Sequence, residues 1–301
     1  MATVLVLAGG NSAERAVSLR SGAAVMAALK QGGHQPSLLD PADNLSDADF
    51  MGYDVIFPAL HGTGGEDGSL QARLEALGLA NVVGSDATCS AHCFDKWQYK
   101  QLLNDNQIAN PAGTVVTADT LVDHPLLQAP FVLKPYDGGS SVDTFIVRDT
   151  AQADMLSLES ACQQHGSMLL EELIAGVEIT VGVVGNSALP VIEIIPPSGA
   201  EFDYENKYNG ATQELCPPQN VVPEIQSQAQ DLALHIHTLC GCRDMSRTDM
   251  IVTANNELYV LETNTIPGLT DQSLLPRAAA QAGMTMPELC DHLVTMAAQR
   301  A

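Results

Sequence analysis

Four polar residues carry the most legible chemistry in this chain. Arg247-Thr-Asp249 and Glu262-Thr-Asn264 lie at the outer ends of two β-rich runs that flank Asn255-Asn256. Asn tolerates the positive φ of a tight hairpin turn. A turn at that dipeptide sets Asp249 opposite Glu262 and Arg247 opposite Asn264, and strand alternation puts all four on one face. Facing Cβ atoms sit roughly 4.5–5.5 Å apart, so two carboxylates in this position repel unless a cation lies between them. An Asp, a Glu and an Asn carbonyl are hard oxygen ligands, suited to Mg²⁺ carrying a phosphate. An arginine beside them suits a developing oxyanion. The plain alternative is a solvated edge hairpin whose charges serve solubility. Apolar Met250, Ile251 and Val260 argue instead for a buried one.

The elements that must position this hairpin read as mixed α/β. An apolar run over 3–8 ends in Gly9-Gly10, and helical periodicity follows to about Lys30, with Ser12 as N-cap and Glu14 in the first turn. Strand–Gly turn–helix opens a unit in which ligands gather at strand C-ends. Glu14 there either complements the helix dipole or serves a ligand. A second strand, Tyr53 to Leu60, runs into His61-Gly-Thr-Gly-Gly-Glu-Asp-Gly68 and then a helix from Ser69 to about Leu77. The glycines leave backbone N–H groups free to approach a ligand. His61 could hydrogen-bond an anion or only cap the loop. One helix is predicted from Ser85 to Asn106. The strand Phe131–Lys134, a loop Tyr136–Val142 and a return strand to Val147 form either a flap over phosphates or an ordinary hairpin. Lys134 would meet those phosphates as a point charge. A helix over 151–165, a strand over 168–174, a strand over 178–184 and another over 188–195 come next. Residues 196–222 read as a long polar loop, either a lid or a disordered linker. A helix over 224–239 leads into the hairpin, and Ser273 caps a final helical region. Boundaries fall near 84 and 174.

Composition narrows the partners. The 301 residues contain 36 Asp plus Glu against 13 Lys plus Arg, a formal charge of −23. That excludes nucleic acid and anionic membranes as natural partners. The lysines are only Lys30, Lys96, Lys100, Lys134 and Lys207, so a bound polyanion must be met locally. The start has no basic n-region and no apolar run is long enough to span a membrane, which predicts a cytoplasmic protein with reduced thiols. The seven cysteines include Cys240-Gly-Cys242 but no zinc-ligand spacing, which argues against a metal role for them.

Six segments in this order and spacing resemble the D-alanine–D-alanine ligase family of the ATP-grasp fold. They are Gly9-Gly10-Asn-Ser-Ala-Glu14, Leu60-His61-Gly-Thr-Gly-Gly-Glu-Asp-Gly68, Lys134-Pro135 with Gly139-Ser140-Ser141-Val142, Lys207-Tyr208, Arg247-Thr-Asp249, and Glu262-Thr-Asn264-Thr-Ile-Pro267-Gly268. The resemblance implies a three-domain α/β ligase. Residues 1–84 would be an open α/β substrate-binding domain like the N-terminal domain of biotin carboxylase. Residues 85–174 would be a central lid domain and 175–301 a C-terminal catalytic domain, two α+β units clasping ATP. It implies Lys96, Lys134, Ser141 and Lys207 on the ATP phosphates, Glu171 and the Leu173 backbone at adenine, and Glu178 at the ribose. Asp249, Glu262 and Asn264 would hold two Mg²⁺ ions, with Mn²⁺ able to substitute. Glu14 would take the first D-alanine's ammonium, with Ser140 and Tyr208 in its network and His61 near its carboxylate. Arg247 and the Gly268 N–H would hold the tetrahedral oxyanion, and Ser273 with the Leu274 N–H the second carboxylate. The resemblance further implies a homodimer serving peptidoglycan synthesis, and Tyr208 implies dipeptide rather than ester formation. A related ligase with another amino or hydroxy acid substrate, and an ATP-binding regulator without chemistry, are the competing readings. Departures from the family pattern are Tyr136-Asp137, Asp143 and Ser246 where Gly is usual, Leu173 for a larger aromatic, and Thr263 and Ile266 for small residues.

Overall fold

The computed structural model describes residues 1–138, 143–197 and 212–300. Its strands form three separate sheets. The first holds β1 (Thr3–Leu7), β2 (Gln35–Leu39) and β3 (Val55–Pro58), with helices α1 (Arg15–Gln31) and α2 (Ser69–Ala76). All three strands are parallel in the order β2-β1-β3. The near-continuous apolar run of β1 suits a parallel strand covered on both faces. β2 has no counterpart in the sequence reading, because Gln35-Pro-Ser-Leu-Leu39 is a largely exposed edge strand without clean alternation.

Two helices, α3 (Ala87–Phe94) and α4 (Lys96–Asp105), replace the single helix expected over 85–106. Asp95 is extended and its side chain accepts from Trp97 N and Gln98 N, so it breaks one helix and caps the next. The second sheet follows, with β4 (Gly113–Val116), α5 (Ala118–Leu121), β5 (Phe131–Lys134), β6 (Phe145–Val147), α6 (Met155–His165) and β7 (Met168–Glu172), ordered β4-β7-β5-β6. The third contains β8 (Val177–Val184), β9 (Ser187–Ala188), β10 (Ile192–Ile195) and β11 (Gln213–Leu215), then α7 (Pro223–Leu239), β12 (Met245–Val252), β13 (Leu258–Asn264), α8 (Leu274–Gln281) and α9 (Met286–Ala298). The expected loop over 196–222 therefore contains a strand, β11, paired with β10.

The organising hairpin closes differently from the expected two-residue turn. Thr253 N donates to Glu257 O across a three-residue loop, and Asn256 takes φ 63 within it. Pairing then shifts from Met250–Val260 to Asp249–Glu262, which leaves Leu261 as an extra, bulged residue. The bulge cancels the offset of the longer loop. Asp249 consequently faces Glu262 and Arg247 faces Asn264. Thr248 and Thr263 pair on the opposite face, their hydroxyls 2.9 Å apart.

Apolar packing links the sheets unevenly. One core joins β1, β3 and α1 to α8 and α9, and so fuses the first and third units. Another packs α7 and the α3–α4 pair on the third sheet. The first two helices of the expected 85–174 unit thus bury their apolar faces against β8, β12 and β13. The second sheet has a core of its own, drawn from residues 116–170.

Candidate active site

A cavity of about 690 Å³ opens where the loops of the first unit meet the start of α4 and the ends of β12 and β13. Glu14, His61, Lys96, Arg247, Glu262, Asn264, Gly268, Ser273 and Leu274 all line it. Helix α1 begins two residues later than expected. Glu14 is its N-cap rather than part of the first turn. Ser12 leaves the capping role and donates to the His61 carbonyl at 2.6 Å, tying the two loops together. Gly62 sits at φ +71, and a Cβ there would lie 2.5 Å from Glu14 Oε2, so glycine permits this approach.

The facing carboxylates are each met by a cation. Arg247 Nε and Nη2 reach Asp249 Oδ1 and Oδ2, both at 2.9 Å, and the Thr180 hydroxyl donates to Asp249 Oδ1 at 2.5 Å. Lys96 Nζ lies 3.4 Å from Glu262 Oε2. The break at Asp95 explains this reach. It places Lys96 first in α4, with its N–H on the Tyr136 carbonyl at 2.7 Å and its Nζ on the Gly138 carbonyl at 2.5 Å. Asn264 Oδ1 accepts from Ile266 N at 2.9 Å and shapes the turn that follows.

The other predicted nucleotide residues lie on β5, β7 and β8. Glu171 is buried between Lys134 Nζ at 2.5 Å and Lys100 Nζ at 3.1 Å. Burial alone would raise its pKa, yet Lys134 and Lys100 hold it below the ordinary value. Burial works against the Lys134 charge, but Glu171 and Glu262 carry it above the usual lysine value. Lys100 goes the other way, because burial outweighs Glu171. The Leu173 N–H is on the Pro130 carbonyl at 3.0 Å, and Glu178 lies on β8 facing Ile194 and Ile251. Ser140, Ser141, Lys207 and Tyr208 lie outside the described residues.

Three functional-site residues escaped the sequence reading. Glu66 lines the cavity, and its carboxylate accepts from Gly62 N at 2.6 Å. Burial, then the neighbouring Glu14, push it up to about 8. Its signal was an acid inside a glycine-rich loop. Ser21 is the second. Leu269 N donates to its hydroxyl oxygen at 3.3 Å, and that hydroxyl lies 3.0 Å from His61 Nε2. Burial holds the His61 pKa down to about 4. A neutral ring donates at one nitrogen and accepts at the other, and the Ser21 hydroxyl links the Gly268 loop to His61. Its signal was a serine at a buried position of an amphipathic helix. Lys100, the third, gave none.

Comparison with known proteins identifies the family. A family model described as D-ala D-ala ligase C-terminus matches residues 99–295. A D-alanine--D-alanine ligase of Desulforudis audaxviator (strain MP104C) is 41% identical over 98% of both chains. One of Gluconobacter oxydans (strain 621H) is 39% identical over 99% of both chains. The chain belongs to the D-alanine–D-alanine ligase family. In structure it is similar to the Bacillus anthracis D-alanine--D-alanine ligase complexed with ATP, with a TM-score of 0.83 and 29% identity, covering 99% of this chain and 98% of the other. The three-sheet architecture is accordingly the ATP-grasp ligase fold.

Most departures from the ligase-family pattern have structural explanations. Ser246 is fully buried, its hydroxyl 2.7 Å from His237 Nδ1. Ile266 belongs to the core shared by the first and third units, and Thr263 bonds Tyr99 at 2.7 Å behind the sheet. Asp143 takes φ 53, a left-handed conformation that accounts for a glycine preference there. Its carboxylate lies 3.0 Å from His165 Nε2 at the end of α6. Nothing in the structure explains Asp137.

Proposed function

We propose that this chain joins two D-alanines into D-alanyl-D-alanine with conversion of ATP to ADP, the activity named for its relatives. The cross-strand set carries this reading, because Arg247, Glu262 and Asn264 line one cavity with Glu14 and His61, and Asp249 faces Glu262 beside it. The first D-alanine carboxylate attacks the γ-phosphate and ADP leaves. The second D-alanine amine attacks the acyl-phosphate carbonyl and phosphate leaves, with one proton lost from the amine.

Glu14 would hold the first ammonium as its carboxylate counter-ion. Neutral His61 would donate or accept near the first carboxylate without adding charge. Arg247 and the Gly268 N–H would hold the tetrahedral oxyanion. Ser273 and the Leu274 N–H, at the start of α8, would take the second carboxylate, where the helix end favours an anion. Gly268 is suited to this crowding, since a Cβ there would meet Ser273 Oγ at 2.7 Å. Lys96 and Lys134 would bind phosphate oxygens, Glu171 and Leu173 the adenine, and Glu178 the ribose. Ser140, Ser141, Lys207 and Tyr208 keep their proposed places in the network and lid. The Asp249, Glu262 and Asn264 oxygens would hold two Mg²⁺ ions, or Mn²⁺, which when bound would neutralise phosphate charge.

The same reading takes the domain divisions near 84 and 174, a homodimer and a cytoplasmic site of action in peptidoglycan precursor synthesis. Among the described residues no helix is long and apolar enough to cross a membrane. The test is ADP release with ATP and Mg²⁺ on D-alanine, L-alanine, or D-alanine plus D-lactate, with products identified by mass. Dipeptide from D-alanine alone is expected. Turnover only with another acid or amine would overturn the substrate assignment. ATP binding without turnover on any acceptor would overturn the ligase reading.

A further inference from the structure

The seven cysteines showed no metal-ligand spacing in the sequence, yet the fold gathers three of them. Cys89 and Cys93 lie one turn apart on α3. Cys242 lies in the turn between α7 and β12. The sulfurs of Cys89, Cys93 and Cys242 all lie within 4.8 Å of one another, and Cys89 Sγ is 3.5 Å from Cys242 Sγ. These three residues are buried. Half-buried Cys240, two residues before Cys242, stands outside this group of three. A tetrahedral ion with metal–sulfur bonds of about 2.3 Å separates its ligand sulfurs by roughly 3.8 Å. The observed spacing spans that value.

We propose that Cys89, Cys93 and Cys242 form a three-thiolate site for one Zn²⁺ ion, with a water in the fourth position. Each Zn–S bond replaces an S–H bond, and the displaced protons go to solvent. The ion would pin α3 to the third unit at a consequential point. Cys93 and Phe94 line the ligase cavity, and Lys96 follows across the Asp95 break. The role is structural and positioning, separate from the hard-oxygen set around Asp249.

The test uses the full reduced chain, stripped of metal and titrated with Zn²⁺ against a chromophoric chelator. About one equivalent should bind tightly. Co²⁺ in its place should give the near-ultraviolet thiolate-to-cobalt charge-transfer band. Cys89→Ser and Cys242→Ser should abolish that band, and Cys290→Ser, buried elsewhere, should retain it. Should the serine variants fail to fold, alkylation of the unmodified chain decides. Zn²⁺ should slow reaction at Cys89, Cys93 and Cys242 by at least about tenfold and leave Cys216 unchanged. Less than about a tenth of an equivalent bound, no charge-transfer band, or equal alkylation with and without Zn²⁺ would overturn the site.

Discussion

At the scale of single residues, two of the pocket's acids, Glu66 and Glu262, sit in environments that set different tasks. Glu66 is buried, and its pKa rises from an ordinary 4.5 to about 8. The folded state therefore holds this proton more tightly than the unfolded chain. The contribution to stability is present below pH 4.5 and is lost as the pH rises through about 8. Urea unfolding of Glu66→Gln should show a flatter pH profile than the parent, with a gain at alkaline pH of up to a few kcal/mol. An unchanged profile would place the titration elsewhere. Glu262 has the opposite requirement, since it must stay ionised to serve as a hard ligand. Glu262→Gln should lower turnover by at least about tenfold and raise the Mg²⁺ concentration for half-maximal rate. A variant that keeps its Mg²⁺ dependence would remove Glu262 from the metal set. Asp249 and Glu262 were legible because strand alternation fixes which residues share a face. Glu66 and Lys100 were not, because burial and charge pairing depend on chain segments far away in sequence.

At the scale of elements, small irregularities aim the reactive groups. The Leu261 bulge restores a register that the three-residue loop would otherwise have shifted, so the correct facing pairs were read from an incorrect turn. Loop length and bulge are both poorly encoded by Asn-Asn, whereas the positions of Arg247, Asp249, Glu262 and Asn264 are fixed by their segment. The Asp95 break was missed because helical periodicity runs through it, and the capping aspartate is the only local sign. Helix α1 shows a third device. Its buried face carries Ser18 and Ser21 instead of apolar side chains. Ser18 accepts from Gly9 N and donates to the Ala59 carbonyl, locking the ends of β1 and β3. Ser21 couples His61 to Leu269. Ser21→Ala should leave the Leu269 N–H without its partner and cost about 1–2 kcal/mol in unfolding experiments. Because Leu269 adjoins the proposed oxyanion donor Gly268, kcat should fall more than KM for D-alanine rises. A stability loss with unchanged kinetics would confine Ser21 to packing.

At the scale of the whole molecule, cohesion is uneven, and that unevenness has a functional consequence. The first and third units share one apolar core. They are further tied by Arg300, which bonds Asp244 at 2.7 and 2.6 Å and the Val82 carbonyl at 2.6 Å. Asp244 also accepts from Gly84 N. Removing the guanidinium leaves the buried Asp244 carboxylate with one backbone donor. Allowing for partial exposure of Arg300, Arg300→Ala should therefore cost about 1–3 kcal/mol. The second sheet is joined differently. Its core is self-contained, and polar bridges through Lys96, Lys100 and Glu171 link it to the rest. Several of those bridges end on groups proposed to bind ATP. A nucleotide would exchange charge pairs for phosphate contacts at this seam and hold the two blocks together through itself. Amide hydrogen exchange with ATP and Mg²⁺ should thus show new protection concentrated over residues 113–172 and the start of α4. The shared core of α1, α8 and α9 should change little. Equal protection across both blocks would mean that the molecule tightens as one body, and the seam would lose its role as a hinge.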